Sequence, residues 1–423
     1  MRNILASTLV LCLICSAAAA KDQLDLSSPE ATLRSYIESN LDAPYRVWCS
    51  GCRMVVQTAC MLRVATQFLE EGVVNMLKPR NLFLSFSIIG MLACGTSIVA
   101  ENQQPEASDR IDSLHGPGSD QLSQSRLGEV STYTYKTVGD LEIKADVLRS
   151  DDQELRPVVV WIHGGALING GRQGVGKRIR EMMVNAGYVI VSIDYRLAPE
   201  TKLAEIIADL EDAFTWIHRY GPSLFKAKTE RIAVMGGSAG GYLTLTSGFR
   251  SSPKPTVLVS FYGYGDLVGD WYSKPSKHAR HQRKTMNEAE LAALLAGPPV
   301  ANSGDRLGDG RAFYQYCRQN GLWPEMVSGF DPHTHAQKYD PFMPVRNVSA
   351  EYPPTLLIHG TEDTDVPYEQ SLMMAEQLEK QGIEHRLIAI PGAEHGLGGG
   401  DPGQIDAAYD MALKFVNDHM KRK

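Results

Sequence analysis

The sequence predicts an α/β protein: a doubly wound, mainly parallel sheet of about eight strands that carries a helical insertion. Three observations lead there. Short, continuous apolar runs recur along the second part of the chain, as in strands buried on both faces. Segments with apolar residues at helical spacing separate them, which implies crossover connections and parallel pairing. Reactive residue types gather just beyond the apolar runs, at the strand ends where such sheets place functional groups.

The strands begin as a hairpin. From Ser131, Tyr133 and Tyr135 alternate with polar residues, Val138-Gly139-Asp140 turns, and Leu141, Ile143, Ala145 and Val147 alternate again. Pro157 to Ile162 is a buried strand, and a helix near 175–186 stops at Gly187. Tyr188 to Ile193 is the next strand. A helix over about 203–219 follows, with Leu203, Ile206, Ile207, Leu210, Phe214 and Ile217 on one face. Ile232 to Met235, Val257 to Phe261, Thr355 to Ile358 and Arg386 to Ile390 supply the remaining strands, with helices at 242 onward, 368–381 and 404–418.

The front of the chain differs. Residues 1–20 run from a basic start through an apolar stretch to small residues, as a secretory signal does, and residues 76–100 repeat that pattern. Two expectations stay open: Met76 is the true start and residues 1–75 come from a misassigned upstream start, or residues 82–100 are a retained membrane anchor. Residues 101–128 read as a linker leading into a domain over 129–423. Either expectation makes the protein exported. Six of the seven cysteines precede residue 101, and no βαβ pattern surrounds Cys49-Ser-Gly-Cys52, so that spacing reads as coincidence. The formal charge of -7 argues against nucleic acid as a partner.

Gly236-Gly237-Ser238-Ala239-Gly240 follows a strand and precedes a helix. A sharp strand-to-helix turn would expose the Ser238 hydroxyl at a helix N-terminus. The same five residues also fit a plain connection with a capping serine, so the partners decide. A serine nucleophile needs a base, and the base needs an acid. His395, in the loop after a strand, is the candidate base. Asp363 is the candidate acid, with Glu362 and Asp365 as rivals in the same loop. Gly164, Gly165 and Ala166, after the strand ending at Ile162, together with Ala239, are the candidate backbone donors to an oxyanion. His163 reads as a brace for that loop. The order Ser, Asp, His fits this sheet topology.

His163-Gly-Gly-Ala166, Asp194-Tyr-Arg-Leu-Ala-Pro-Glu200, Gly236-Gly-Ser-Ala-Gly-Gly241, His359-Gly-Thr-Glu-Asp363 and Glu394-His395-Gly396 together resemble the α/β-hydrolase superfamily, over roughly residues 130–420. The branch they are most similar to is that of the hormone-sensitive-lipase-like carboxylesterases and acyl esterases, with the prolyl-oligopeptidase catalytic domain as a related branch. Gly237 stands where these relatives usually carry Asp, and Ala166 where they carry a third glycine. The resemblance implies a serine hydrolase of short acyl or acetyl esters, with no cofactor or metal and a small-molecule ester as partner. A serine peptidase and a non-catalytic binding member of the fold are the alternatives.

The resemblance also places a lid at about 267–350. Its aromatic residues read mostly as a small core of its own, with helices at 287–295 and 310–319. His278-Ala-Arg-His281-Gln-Arg-Lys284 reads as a solvated face, and His333-Thr-His335 lacks the companions of a metal site.

Overall fold

The computed structural model describes residues 128–421 in full and, at backbone level, two short strands before them. These two, β1 (Tyr45–Cys49) and β2 (Cys52–Val56), pair antiparallel as a hairpin. The expectations about signal, anchor and linker segments fall on residues outside those described, apart from Gly128. No helix among the described residues is long and apolar enough to cross a membrane.

The main unit is one eight-stranded sheet: β3 (Ser131–Val138), β4 (Leu141–Leu148), β5 (Arg156–Ile162), β6 (Val189–Ile193), β7 (Ala227–Gly237), β8 (Val257–Phe261), β9 (Thr355–Gly360) and β10 (His385–Ile390). Their spatial order is β10-β9-β8-β7-β5-β6-β4-β3. The hairpin β3–β4 and the β4–β6 pair are antiparallel, and every other pair is parallel. The expected mainly parallel α/β sheet is therefore the fold.

Alternation within the strands divides the core. Val158, Val160 and Ile162 face one layer with Val189, Val191, Val234 and Leu258. Against them pack α2 (Leu203–Phe225) and α3 (Ala239–Arg250). Val159, Trp161, Ile190, Ala233, Met235 and Val259 face the other layer, covered by α1 (Lys177–Asn185) and α9 (Pro402–Lys421). Two buried faces explain why these strands are apolar throughout. α8 (Glu369–Lys380) crosses between β9 and β10.

α2 runs on to Phe225, past the expected end near 219. Gly221 lets the last turn pack tightly, because a Cβ there would lie 3.0 Å from Phe225 and 3.1 Å from Ala227. The break comes only at Lys226, in the left-handed conformation.

Between β8 and β9 the chain makes α4 (Asp270–Ser273), α5 (Glu288–Leu295), α6 (Gly310–Asn320) and α7 (Trp323–Ser328). The two helices expected here lie within a residue of their predicted bounds, and α4 and α7 are additional. The aromatic residues do not form a core of their own. Trp271, Tyr272 and Trp323 stack at 3.6 and 3.9 Å, Tyr264 meets them edge-on, and all join the α2–α3 layer.

Candidate functional site

β7 ends at Gly237 and α3 begins at Ala239, which leaves Ser238 alone in the turn. Its backbone takes φ 57°, ψ -123°, a conformation costly for a residue with a Cβ. A fixed N–H holds it: Ser238 N donates to Phe261 O at 2.9 Å. A Cβ on Gly240 would lie 2.0 Å from Ile162 O, so the helix meets the sheet at backbone distance.

Ser238 Oγ lies 3.0 Å from His395 Nε2, and His395 Nδ1 lies 2.7 Å from Asp363 Oδ2. The carboxylate accepts a hydrogen bond from Nδ1–H, which leaves Nε2 free to accept from the serine hydroxyl. Ser238 comes from the end of β7, Asp363 from the loop after β9, and His395 from the loop after β10. Three loops at the same sheet edge thus bring together residues as far apart as 238 and 395.

Asp363 is buried. Burial alone would raise its pKa, but hydrogen bonds from His359 and His395 and the N–H of Val366 bring it down to about 2. His359 is fully buried and lies with Nε2 3.0 Å from Val366 O and 3.3 Å from Asp363 Oδ2. Both are acceptors, so Nε2 carries the proton and Nδ1 accepts from Ser371 Oγ at 2.7 Å. Its sequence context marked only a strand end. Its role beside Asp363 becomes visible once the loop folds back.

The loop after β5 lies against the serine: a Cβ on Gly164 would be 3.2 Å from Ser238 Cβ. Gly165, Ala166 and Leu167 all take positive φ. Gly165 O accepts from both Ile168 N and Asn169 N, and Trp323 Nε1 donates to Ala166 O at 2.9 Å. Ala239 N, first in α3, has no intrahelical acceptor. His163 is buried, stacks on Tyr195 at 4.3 Å, and has Nδ1 2.8 Å from Gly164 O. Burial lowers its pKa to about 4, so the ring is neutral near pH 7.

The segment Asp194–Glu200 is a set of anchors. Arg172 donates to Asp194 through its backbone at 2.6 Å and its guanidinium at 2.7 Å. Arg196 grips the buried Asp209 with two bonds of 2.8 Å. Tyr195 donates to His163 O at 2.9 Å. Glu200 meets Arg306 at 2.7 and 2.8 Å, and Arg306 also donates to Ile168 O and Ala198 O. These bonds hold the glycine loop from behind.

Gly237 departs from the expected pattern for a visible reason. Tyr262, itself at φ 37°, covers that position: a Cβ on Gly237 would lie 3.0 Å from its hydroxyl. The same ring meets His395 edge-on at 5.0 Å.

The basic run at 278–284 is a solvated face only in part: His278, Gln282, Arg283 and Lys284 are exposed, whereas Arg280 and His281 turn inward. His281 is fully buried, with Nδ1 2.8 Å from Ser276 Oγ and Nε2 2.9 Å from Asp365 Oδ1, and Arg280 donates to Glu394 at 2.7 Å. Acceptors in distant loops draw these side chains inward, which local composition does not reveal. Asp365, a rival for the acid, does not touch Nδ1 of His395. Among the described residues no group of three or more His, Cys, Asp or Glu is placed to hold a metal. His333 Nε2 instead lies 3.3 Å from Ser273 O and His335 Nδ1 2.9 Å from Thr334 Oγ1.

Residues 146–302 match the family described as BD-FAE, and residues 312–423 match the Prolyl oligopeptidase family. The first span contains Ser238 and the second Asp363 and His395. Among curated proteins, the non-reducing polyketide synthase atr1 of Stereocaulon alpinum is 25% identical over 334 residues, covering 70% of this chain and 13% of the synthase. The non-reducing polyketide synthase adrD of Penicillium roqueforti is 27% identical over 342 residues, covering 69% and 14%. The chain thus spans a small fraction of these relatives. Among solved structures, a protein with unknown function from Staphylococcus aureus subsp. aureus Mu50 has a TM-score of 0.54 at 21% identity, covering 68% of this chain and 99% of that one. An alpha/beta hydrolase superfamily protein from Enterococcus faecalis has a TM-score of 0.53 at 23% identity, covering 68% and 98%. At these identities the likeness is one of fold.

Proposed function

We propose that this chain, which has the α/β-hydrolase fold, is a serine hydrolase of short-chain carboxylic esters. The observation that carries the reading is the hydrogen-bonded chain Ser238–His395–Asp363. In this mechanism His395 Nε2 takes the Ser238 proton as Oγ attacks the acyl carbon. Asp363 holds the ring and offsets its charge. The tetrahedral oxyanion is bound by Ala239 N–H with N–H groups from Gly164, Gly165 and Ala166, each such donor contributing about 2.7–4 kcal/mol. The imidazolium then protonates the departing alcohol, and water activated by the same ring releases the acid and frees Ser238.

The test is turnover of p-nitrophenyl acetate by the full chain and by Ser238→Ala. The variant should keep its thermal midpoint and lose about 10⁶-fold in kcat. A variant that still turns over, or a wild type that a fluorophosphonate probe does not label, removes the reading.

The match to the Prolyl oligopeptidase family, which spans Asp363 and His395, favours a second reading as a peptidase. Cleavage of proline-containing peptides faster than esters would select it. Export belongs to the same proposal and rests on the signal-like residues 1–20 and 76–100. N-terminal sequencing of the mature protein reads it directly, and an uncleaved Met1 would sink it.

A further inference from the structure

Asp365 stands two residues beyond Asp363, and its two oxygens have different surroundings. Oδ1 is saturated by the insertion: it accepts from Tyr314 Oη at 2.6 Å, His281 Nε2 at 2.9 Å and Arg318 Nη1 at 3.4 Å. Arg318 also donates to the Asp365 carbonyl at 3.0 Å. Oδ2 faces the other way, 3.8 Å from His395 Nε2 and 3.5 Å from Arg280 Nη1. His395 therefore has a carboxylate beside each ring nitrogen.

We propose that Asp365 is a positioning residue, a second carboxylate locked in place by the insertion, that stabilises the protonated His395 ring from its Nε2 side. The proposal rests on the ester-hydrolase reading. At 3.8 Å the contact is too long for a hydrogen bond to the neutral ring, whose Nε2 accepts from Ser238. Once Nε2 carries the serine proton, opposite charges at that separation attract strongly.

The other groups around the ring set the sign. Asp363 acts on Nδ1 in every state of the cycle. Glu394, from the histidine's own loop, accepts from His395 N at 3.0 Å and from Thr364 Oγ1 at 2.7 Å, and its charge is met by Arg280. Tyr262, from the loop after β8, is held neutral because burial raises its phenol. Arg280 and Arg318, both from the insertion, oppose protonation of His395, and both contact Asp365. A resting ring that is already protonated cannot take the serine proton. Asp365 accordingly moves the acid limb of activity to higher pH, and Arg280 moves it lower.

Two variants of the full chain test this, each read by the rate of fluorophosphonate labelling at Ser238 and by kcat/KM on p-nitrophenyl acetate against pH. Asp365→Asn should shift the acid-limb midpoint down by about one unit. Arg280→Gln, at a half-exposed position, should shift it up. Tyr314→Phe, which removes a bond to Oδ1 but keeps the charge, should leave the midpoint in place. Loss of packing alone does not produce shifts of opposite sign. If Asp365→Asn does not fold, an Arg280→Gln midpoint that stays or falls still overturns the proposal. A labelled, active wild type with unshifted variants counts against Asp365 alone. A wild type neither labelled nor active counts against the hydrolase reading and the proposal together.

Discussion

The Tyr262 ring fills the space that a side chain at Gly237 would need, with its hydroxyl 3.0 Å from the Cβ position. A side chain at position 237 requires the Tyr262 ring to move from this pose. Gly237→Asp should therefore destabilise the chain by about 1–3 kcal/mol through overpacking and reduce activity by displacing Tyr262 from His395. Tyr262→Gly removes the obstacle and suits the positive φ at 262. The double variant should recover at least about 1 kcal/mol relative to additivity in urea denaturation. Strict additivity would show that the two positions do not collide.

Asp363 and His359 act in series on His395. Asp363→Asn keeps the shape of the loop but no longer fixes Nδ1 as the protonated nitrogen. A loss of about 10⁴-fold in kcat is expected, with KM little changed. His359→Gln should cost less, because His359 only steadies the carboxylate. Steady-state kinetics on p-nitrophenyl acetate separates the two, and an Asp363→Asn loss below tenfold would transfer the acid's role elsewhere.

The depressed pKa of Asp363 has a consequence for stability. The carboxyl titrates near 3.8 when unfolded and at about 2 when folded, so the folded state favours its ionised form. The resulting stabilisation is complete above the unfolded value and is lost as pH falls through about 2. It amounts to about 2 kcal/mol. Urea midpoints of the wild type should fall more steeply between pH 5 and about 2 than those of Asp363→Asn. Parallel curves would mean that the carboxyl is not shifted.

Arg306 and Glu200 form an almost completely buried ion pair behind the glycine loop. Removing one partner leaves a charge without compensation, so Arg306→Met should cost about 3–5 kcal/mol. Adding Glu200→Met should recover part of that, but not all, because the Ile168 and Ala198 carbonyls lose their donor as well. Thermal or urea unfolding reads both variants. A single variant within 1 kcal/mol of wild type would contradict the burial argument.

Much of the molecule follows from local pattern. Apolar runs such as Pro157–Ile162 and the helical spacing of Leu203 to Ile217 specify elements, because each is shaped by burial against whatever lies across from it. Gly236–Gly240 specifies its turn for a similar reason: the backbone conformation is local, and so are the residues that permit it. The end of α2 was less legible, since Gly221-Pro222 looks like a stop, whereas the helix continues to Phe225, whose ring packs close to Gly221.

What sequence by itself determined was the class of sheet, the strand ends that carry reactive residues, and a short set of candidates: Ser238, His395, and Asp363 as the acid, with Glu362 and Asp365 as rivals. The tertiary structure shows Asp363 Oδ2 2.7 Å from Nδ1 of His395 and Asp365 Oδ2 3.8 Å from Nε2. It also decided that His281, Arg280 and Arg318 turn inward rather than to solvent, and that Tyr262 takes the space beside Gly237. The physical reason is the same in each case. Residues two apart in a loop have nearly identical local surroundings. Their different contacts come from partners 32 to 84 residues away in sequence, brought within about 3 Å only when the sheet closes beneath them.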